Sequence, residues 1–319
     1  MKKKDLIGTI IVGIIAVALM VIGLLGGFNL SEVQKDALKT VSIVAACAAL
    51  YCFVVGEIAR NNSQMDKLWS ILPIAYMWIV AAKSGLNPRV VIMAVVATLW
   101  GVRLTANFAA KGAYSWRFWA GEEDYRWEIL RNKKPLNNKF VWALFDLFFI
   151  SIIQNFVVLA ITFPAIAVME SKVPFGIMDT VATDLMVGAL LVELVADIQQ
   201  WNFYQKRKKL MEGGKKLSEI AFPFCRGFNT SGLWSISRHP NYFGEQLIWI
   251  SAFLFTFGAE VPGLLGINWS VIGCAFLVLI FLGSSTMGES ISSSKYPEYT
   301  KYQEQVSKII PIPWKKYKG

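Results

Sequence analysis

Apolar residues along this chain gather into long runs, and short polar stretches separate one run from the next. The runs cover Leu6–Leu25, Ala37–Ile58, Leu68–Ala82, Val90–Ala106, Phe140–Met169, Val181–Tyr204, Leu247–Ala259 and Ile267–Met287. A helix needs roughly 20 apolar residues to cross the hydrocarbon core of a bilayer, and most of these runs come close to that length. The pattern predicts an all-α, polytopic integral membrane bundle of about eight transmembrane helices. The first run follows Met1-Lys2-Lys3-Lys4, as in a signal peptide, but it is too long for such a segment and has no small-residue cleavage site, so it reads as a retained span.

Polar residues inside and beside the runs carry the next information. In the sixth run Glu193, Asp197, Gln200 and Tyr204 recur at intervals of four, three and four, which places them on one helix face. Two carboxylates against lipid would cost several kcal/mol, so this stripe is expected to face the bundle interior or a wet cavity, or to bond a neighbouring helix. Glu57 and Asp66 lie near the ends of the second and third runs, and Arg103 and Asn107 near the end of the fourth. The connection Lys111–Lys139 is too charged to span and rich in aromatic residues, and it predicts a helix lying on the membrane surface. Tyr296, Tyr299 and Tyr302, followed by Ile310-Pro311, predict a short amphipathic piece in the C-terminal tail.

Charge orients these elements. The 319 residues are 55% hydrophobic and 17% charged, with a net charge of +10. With the N-terminus placed in the cytoplasm, only Lys35, Lys39, Lys83, Arg89 and Lys172 of the 32 basic residues fall on the far side, so both chain ends are expected in the cytoplasm. The resulting division is 1–110 for the first four spans, 111–139 for the cytoplasmic connection and 140–319 for the remaining spans and tail. Basic residues are interleaved with apolar spans, which argues for membrane topology and against a nucleic-acid partner. Four cysteines without a CxxC pair and a single histidine give no disulfide framework and no expected metal site.

The densest chemistry is Ser237-Arg238-His239-Pro240-Asn241-Tyr242-Phe243-Gly244-Glu245. Proline suits the first position of a helix, so Pro240 predicts a helix start that sets Arg238 and His239 at its entrance and Asn241, Tyr242 and Glu245 on its first turns. A helix N-terminus beside an arginine suits an anionic ligand. The same residues also suit an interfacial anchor at headgroup level.

Together with Gly232-Leu233-Trp234, Glu289 and Tyr299-xx-Tyr302…Ile310-Pro311, this stretch resembles the DUF1295 group of steroid 5α-reductase-like membrane proteins, over about Glu193 to Trp314. The pattern is shared more loosely with isoprenylcysteine carboxyl methyltransferases and phospholipid N-methyltransferases. The reductase resemblance implies NADPH bound from the cytoplasmic side, with Asp197, Asn241 and Glu245 as polar contacts, Arg226 and Arg238 at the phosphates, and Tyr296 in the tail. It further implies hydride transfer to a carbon–carbon double bond conjugated to a carbonyl in an apolar lipid, with Glu57 as the acid; Trp100 stands where the family has a tyrosine. The methyltransferase resemblance would give Arg238, His239, Tyr242, Glu245 and Glu289 to S-adenosylmethionine. A non-enzymatic scaffold or transporter would leave the polar stripe of the sixth run without a use.

Overall fold

The computed structural model describes residues 3–318, which form helices and turns with no β-strand among them. In chain order the helices are α1 (Lys3–Leu25), α2 (Glu32–Ala59), α3 (Gln64–Leu68), α4 (Leu72–Lys83), α5 (Pro88–Ala110), α6 (Tyr125–Arg131) and α7 (Lys139–Phe145). A π-helical segment, Asp146–Ile153, leads into α8 (Gln154–Ala160), α9 (Phe163–Val168), α10 (Ile177–Leu210), α11 (Pro240–Gly258), α12 (Val271–Lys295) and α13 (Tyr299–Gln305). Among the described residues five helical stretches are long and apolar enough to cross a membrane: Lys4–Leu25, Glu32–Ala59, Pro88–Ala110, Lys139–Val168 and Val271–Lys295. The third run instead gives the 12-residue α4, about 18 Å long at 1.5 Å per residue. The sixth gives the 34-residue α10, whose polar face lowers its hydropathy.

The fifth run is not one uniform helix. Asp146 opens the π-helical segment and accepts the Ser151 hydroxyl at 3.4 Å, and Asn155 donates to the Ser151 carbonyl at 2.8 Å. The α8–α9 break falls at Ile161–Thr162, just before Pro164, which has no N–H to donate to the Ala160 carbonyl. Gly273 fits here because a Cβ at that position would collide with the backbone of Ala160.

The chain divides into two compact units that interleave in sequence: residues 1–19, 184–251 and 275–319 form one, and 20–183 with 252–274 form the other. The core of the second unit includes Tyr76, Met77, Val80, Met93, Ala97, Val157 and Val158, all fully buried. One end of this unit is tied by Arg89, only 3% exposed, which makes a two-pronged pair with Asp179 at 2.7 Å on each prong. Arg89 Nη1 donates to the Val173 carbonyl at 2.8 Å, and Nη2 is shared between Asp179 and the carbonyls of Pro174 and Gly258 at 3.0 and 2.9 Å.

The expected surface helix over Lys111–Lys139 is corrected by the structure. Only α6 and the start of α7 are helical there; Gly121, with φ near +106°, turns the chain where a Cβ would collide with the Ala113 carbonyl. Carbonyls that a helix would have satisfied are met instead from the α2–α3 corner. Asn61 donates to Gly121 at 3.0 Å, Gln64 to Trp119 at 2.9 Å, and the buried Lys67 ammonium to Phe118 and Ala120 at 2.8 and 2.7 Å. In return Tyr114 donates to the Lys67 carbonyl and Trp127 to the Asp66 carboxylate, at 2.8 and 2.7 Å. Burial holds the Lys67 amine below its ordinary pKa.

Candidate functional site

The motif residues belong to the first unit, where their backbone is held from two directions. On one side Leu233 N–H donates to the Gln199 side chain and the Trp234 indole to the Ala196 carbonyl, both at 2.9 Å, laying the Gly232–Ser235 turn along α10. On the other, the tail runs beside residues 235–238: Arg238 N–H donates to Ser307, Ile312 N–H to Ile236, and Tyr317 N–H to Ser235, at 2.9, 3.0 and 2.9 Å. The Ser237 hydroxyl donates to the Ile309 carbonyl at 2.6 Å. Pro240 then begins α11, as its fixed φ and missing N–H favour.

Arg238 does not wait at the helix entrance for an anion. It is 1% exposed, and each of its N–H groups meets a protein acceptor. Nε and Nη2 reach the two Glu289 oxygens at 2.6 and 3.2 Å, Nη2 also reaches Asp5 at 2.8 Å, and Nη1 reaches the Gln303 and Val306 carbonyls at 2.9 and 2.6 Å. A guanidinium has five N–H donors, and these five contacts use them all. In this structure Arg238 acts as a buried tie between α1, α12 and the tail, with its donors taken by the protein rather than turned to the helix entrance. Glu289 is equally occupied: it is 3% exposed and also meets His239 and Gln303, both at 3.0 Å.

His239 lies against this pair. Burial, reinforced by Arg238 and Lys308, holds its imidazole below the ordinary histidine pKa despite Glu289, so it is neutral at pH 7. Facing a carboxylate oxygen, its Nε2 carries the proton, and Nδ1 is left as the acceptor. Its ring stacks on Tyr242, centroids 5.1 Å apart, and Tyr242 meets Phe281 edge-on at 4.6 Å. Tyr296 belongs to a buried aromatic cluster with Phe228, Tyr299, Tyr302, Val306 and Tyr317. Its hydroxyl accepts from Arg207 at 3.3 Å. The Tyr302 phenol, kept protonated by burial, donates to the Trp234 and Ser237 carbonyls.

Arg226 stands apart from these buried ties. Its guanidinium is sandwiched by the Phe222 and Tyr317 rings at 4.6 and 4.8 Å, and its salt bridge goes to the 54% exposed Glu298 carboxylate at 3.2 Å. A pair with one partner in solvent contributes at most about 1 kcal/mol and is easily exchanged for a stronger anion.

The polar stripe and the first turns of α11 meet across a close helix contact. Gly244 packs on α10 so tightly that a Cβ there would come within 2.7 Å of Glu193 Cβ and 2.9 Å of the Ala189 carbonyl. Gly244→Ala is therefore expected to destabilise the first unit by about 1–3 kcal/mol through overpacking, read as a lower Tm in detergent. Around this contact Glu193 and Glu245 are buried and Asp197 half-buried. The buried polar atoms of this unit that have no hydrogen-bond partner among the described residues include Asn241 Oδ1, Gln200 Oε1 and Asn229 Nδ2, with Thr9 Oγ1 and the Tyr317 hydroxyl further along the unit. Gln200 and Asn241 were legible as members of the stripe and the motif, but nothing in the sequence marked Asn229, Asp5 or Gln303.

Glu57 and Trp100 lie in the second unit. Glu57 is exposed near the end of α2 and interacts with Asp146. Trp100 is fully buried on α5. Among the described residues no group of three His, Cys, Asp or Glu side chains could hold a metal ion.

A family model described as a protein of unknown function, DUF1295, matches residues 52–306. The chain belongs to the DUF1295 family. This family is broadly steroid 5α-reductase-like. An uncharacterized protein of Schizosaccharomyces pombe is 36% identical over 278 residues, covering 82% of this DUF1295 chain and 78% of the relative. No solved structure matches it.

Proposed function

We propose that this DUF1295 protein is a membrane-embedded, NADPH-dependent reductase of a carbon–carbon double bond conjugated to a carbonyl in an apolar lipid. The observation that carries the reading is the set of buried, unpartnered polar atoms on α10, α11 and the loop between them, in a unit where Arg238 and Glu289 are paired with each other and with the protein. Buried polar atoms are nearly always bonded, so atoms left without a protein partner are open to water or to a polar ligand. A dinucleotide offers both the donors that Asn241 and Gln200 lack and the acceptors that Asn229 lacks. Asp197, Asn241 and Glu245 would hold it, and Arg226, stacked between rings and paired only at the surface, would meet its phosphates.

When bound, NADPH supplies the hydride that saturates the double bond. Glu57 would donate the proton to the developing enolate oxygen. Trp100 leaves that role to a carboxyl group, because an indole N–H can hydrogen-bond an oxygen but does not act as an acid. With α4, α10 and α11 counted as crossings beside the five long apolar helices, the chain crosses about eight times and both ends face the cytoplasm, the side from which the cofactor would enter.

The test is calorimetric titration of the purified protein in detergent with NADPH, NADH and S-adenosylmethionine. Micromolar NADPH binding is expected, and Glu245→Gln should abolish it without lowering Tm. Binding of S-adenosylmethionine alone would transfer the site to methyl transfer; the Arg238 anchor of that reading is already fully bonded within the protein. Full turnover by Glu57→Gln would remove Glu57 as the acid.

A further inference from the structure

The segment between α10 and α11 contains an amide whose orientation is fixed and whose donor is unused. Asn229 is 2% exposed, and its Oδ1 accepts from both the backbone N–H and the hydroxyl of Ser231, at 3.0 and 2.8 Å. A backbone N–H can only donate, so the atom facing it must be the carbonyl oxygen, and the NH2 group necessarily points the other way. That Nδ2 is buried and meets no acceptor among the described residues.

The surroundings hold this amide in place. Phe228 before it is locked in the tyrosine cluster, 5.0 and 5.4 Å from the Tyr299 and Tyr302 rings. Gly227 gives its carbonyl to Arg207 of α10, while Leu233 and Trp234 bond Gln199 and the Ala196 carbonyl of the same helix. Residues 227–234 are therefore laid back along α10 from position 207 towards 196. Gln200 lies on that stretch, and its buried Oε1 has no partner either. An amide donor and an amide acceptor that could satisfy each other do not meet.

We infer that Asn229 and Gln200 are a pair of ligand contacts, a fixed donor and an acceptor that together take one amide-like or aminopurine-like edge of the dinucleotide. Such an edge presents an acceptor beside a donor, the complement of what the two side chains leave open. The inference rests on the NADPH reading and adds two residues to the site, one of them on the loop rather than on a helix. Leaving these atoms unbonded in the ligand-free protein is tolerable only if water fills the gap, and the ligand would displace that water.

The experiment measures NADPH affinity calorimetrically, and Tm without ligand, for wild type, Asn229→Asp and Gln200→Leu. Asn229→Asp keeps the oxygen that caps Ser231 and replaces the donor by a second acceptor. It is expected to weaken NADPH binding about tenfold or more, because a ligand acceptor would then face a carboxylate oxygen, and the Tm without ligand reports separately what burying the carboxylate costs the fold. Gln200→Leu, which leaves the Asn229–Ser231 hydrogen bonds of the turn in place, is expected to weaken binding by a similar factor and decides the matter if Asn229→Asp fails to fold. Wild-type affinity within about twofold in the folded variants would overturn the inference and leave water as the occupant. Wild-type protein with no NADPH affinity would overturn the cofactor reading itself, and this inference with it.

Discussion

Arg238→Ala is expected to destabilise the first unit by about 3–5 kcal/mol, the usual effect of removing one partner from a buried ion pair. The reason is what stays behind. Glu289, 3% exposed, would keep only His239 and Gln303, and the Gln303 and Val306 carbonyls would lose their donor. The tail should loosen as well, since Arg238 is bonded to it through three separate contacts, including its own N–H to Ser307. Thermal unfolding in detergent and limited proteolysis after Tyr296 read both effects. Arg238→Lys should rescue little, because an ammonium has three donors and no planar fork to span two carboxylates and two carbonyls. The double variant Arg238→Met, Glu289→Met is expected to be more stable than Arg238→Ala, since the Glu289 charge leaves with its partner and only the 12% exposed Asp5 carboxylate loses its ion pair. Wild-type Tm and wild-type protease resistance in Arg238→Ala would show that the tie is not stabilising.

Arg89→Ala should be about as damaging, at about 3–5 kcal/mol, but to the second unit. Asp179 is completely buried and also accepts Gly176 N–H at 2.9 Å near the start of α10. Without the guanidinium its charge would be unpaired, and the carbonyls of Val173, Pro174 and Gly258 would face no donor. A Cβ at Gly258 would strike the Asp179 carboxylate, so the neighbouring backbone leaves no room for a rearranged partner. Tm in detergent is the readout, with hydrogen exchange over residues 171–179 expected to rise most. Slow exchange there in Arg89→Ala, at wild-type Tm, would count against the assignment.

These two arginines differ in how they read from sequence. Arg89 follows Pro88 at a helix start and was visible only as one of a few basic residues on the sparsely charged side. Arg238 sat in the most suggestive motif of the chain, where a helix entrance and a positive charge invite an anion. The structure gives that charge to Asp5, 233 positions away, and to Glu289, 51 positions away. The anion it was suited to is supplied by the protein itself.

The segment after α5 shows the same limit in backbone terms. Its aromatic and basic alternation suits a surface helix, yet residues 113–124 follow the α2–α3 corner because Asn61, Gln64 and Lys67 provide donors for their carbonyls. Periodicity measures which face is apolar; it carries no information on a distant donor that competes with the helix.

By itself the sequence determined what depends on neighbours a few residues away: the apolar runs that became helices, the stripe of Glu193, Asp197, Gln200 and Tyr204 along α10, and the start of α11 at Pro240. Those features follow from helix period, side-chain transfer energy and the missing proline N–H, all of them local. Only the tertiary structure decided which charges are used up and which polar atoms remain open. An arginine presents the same five donors whatever its partners, and the acceptors that claimed those of Arg238 come from α1, α12 and the tail. Asn229 became a candidate contact for the same reason: its unbonded amide is a property of everything packed around it, which no stretch of sequence displays.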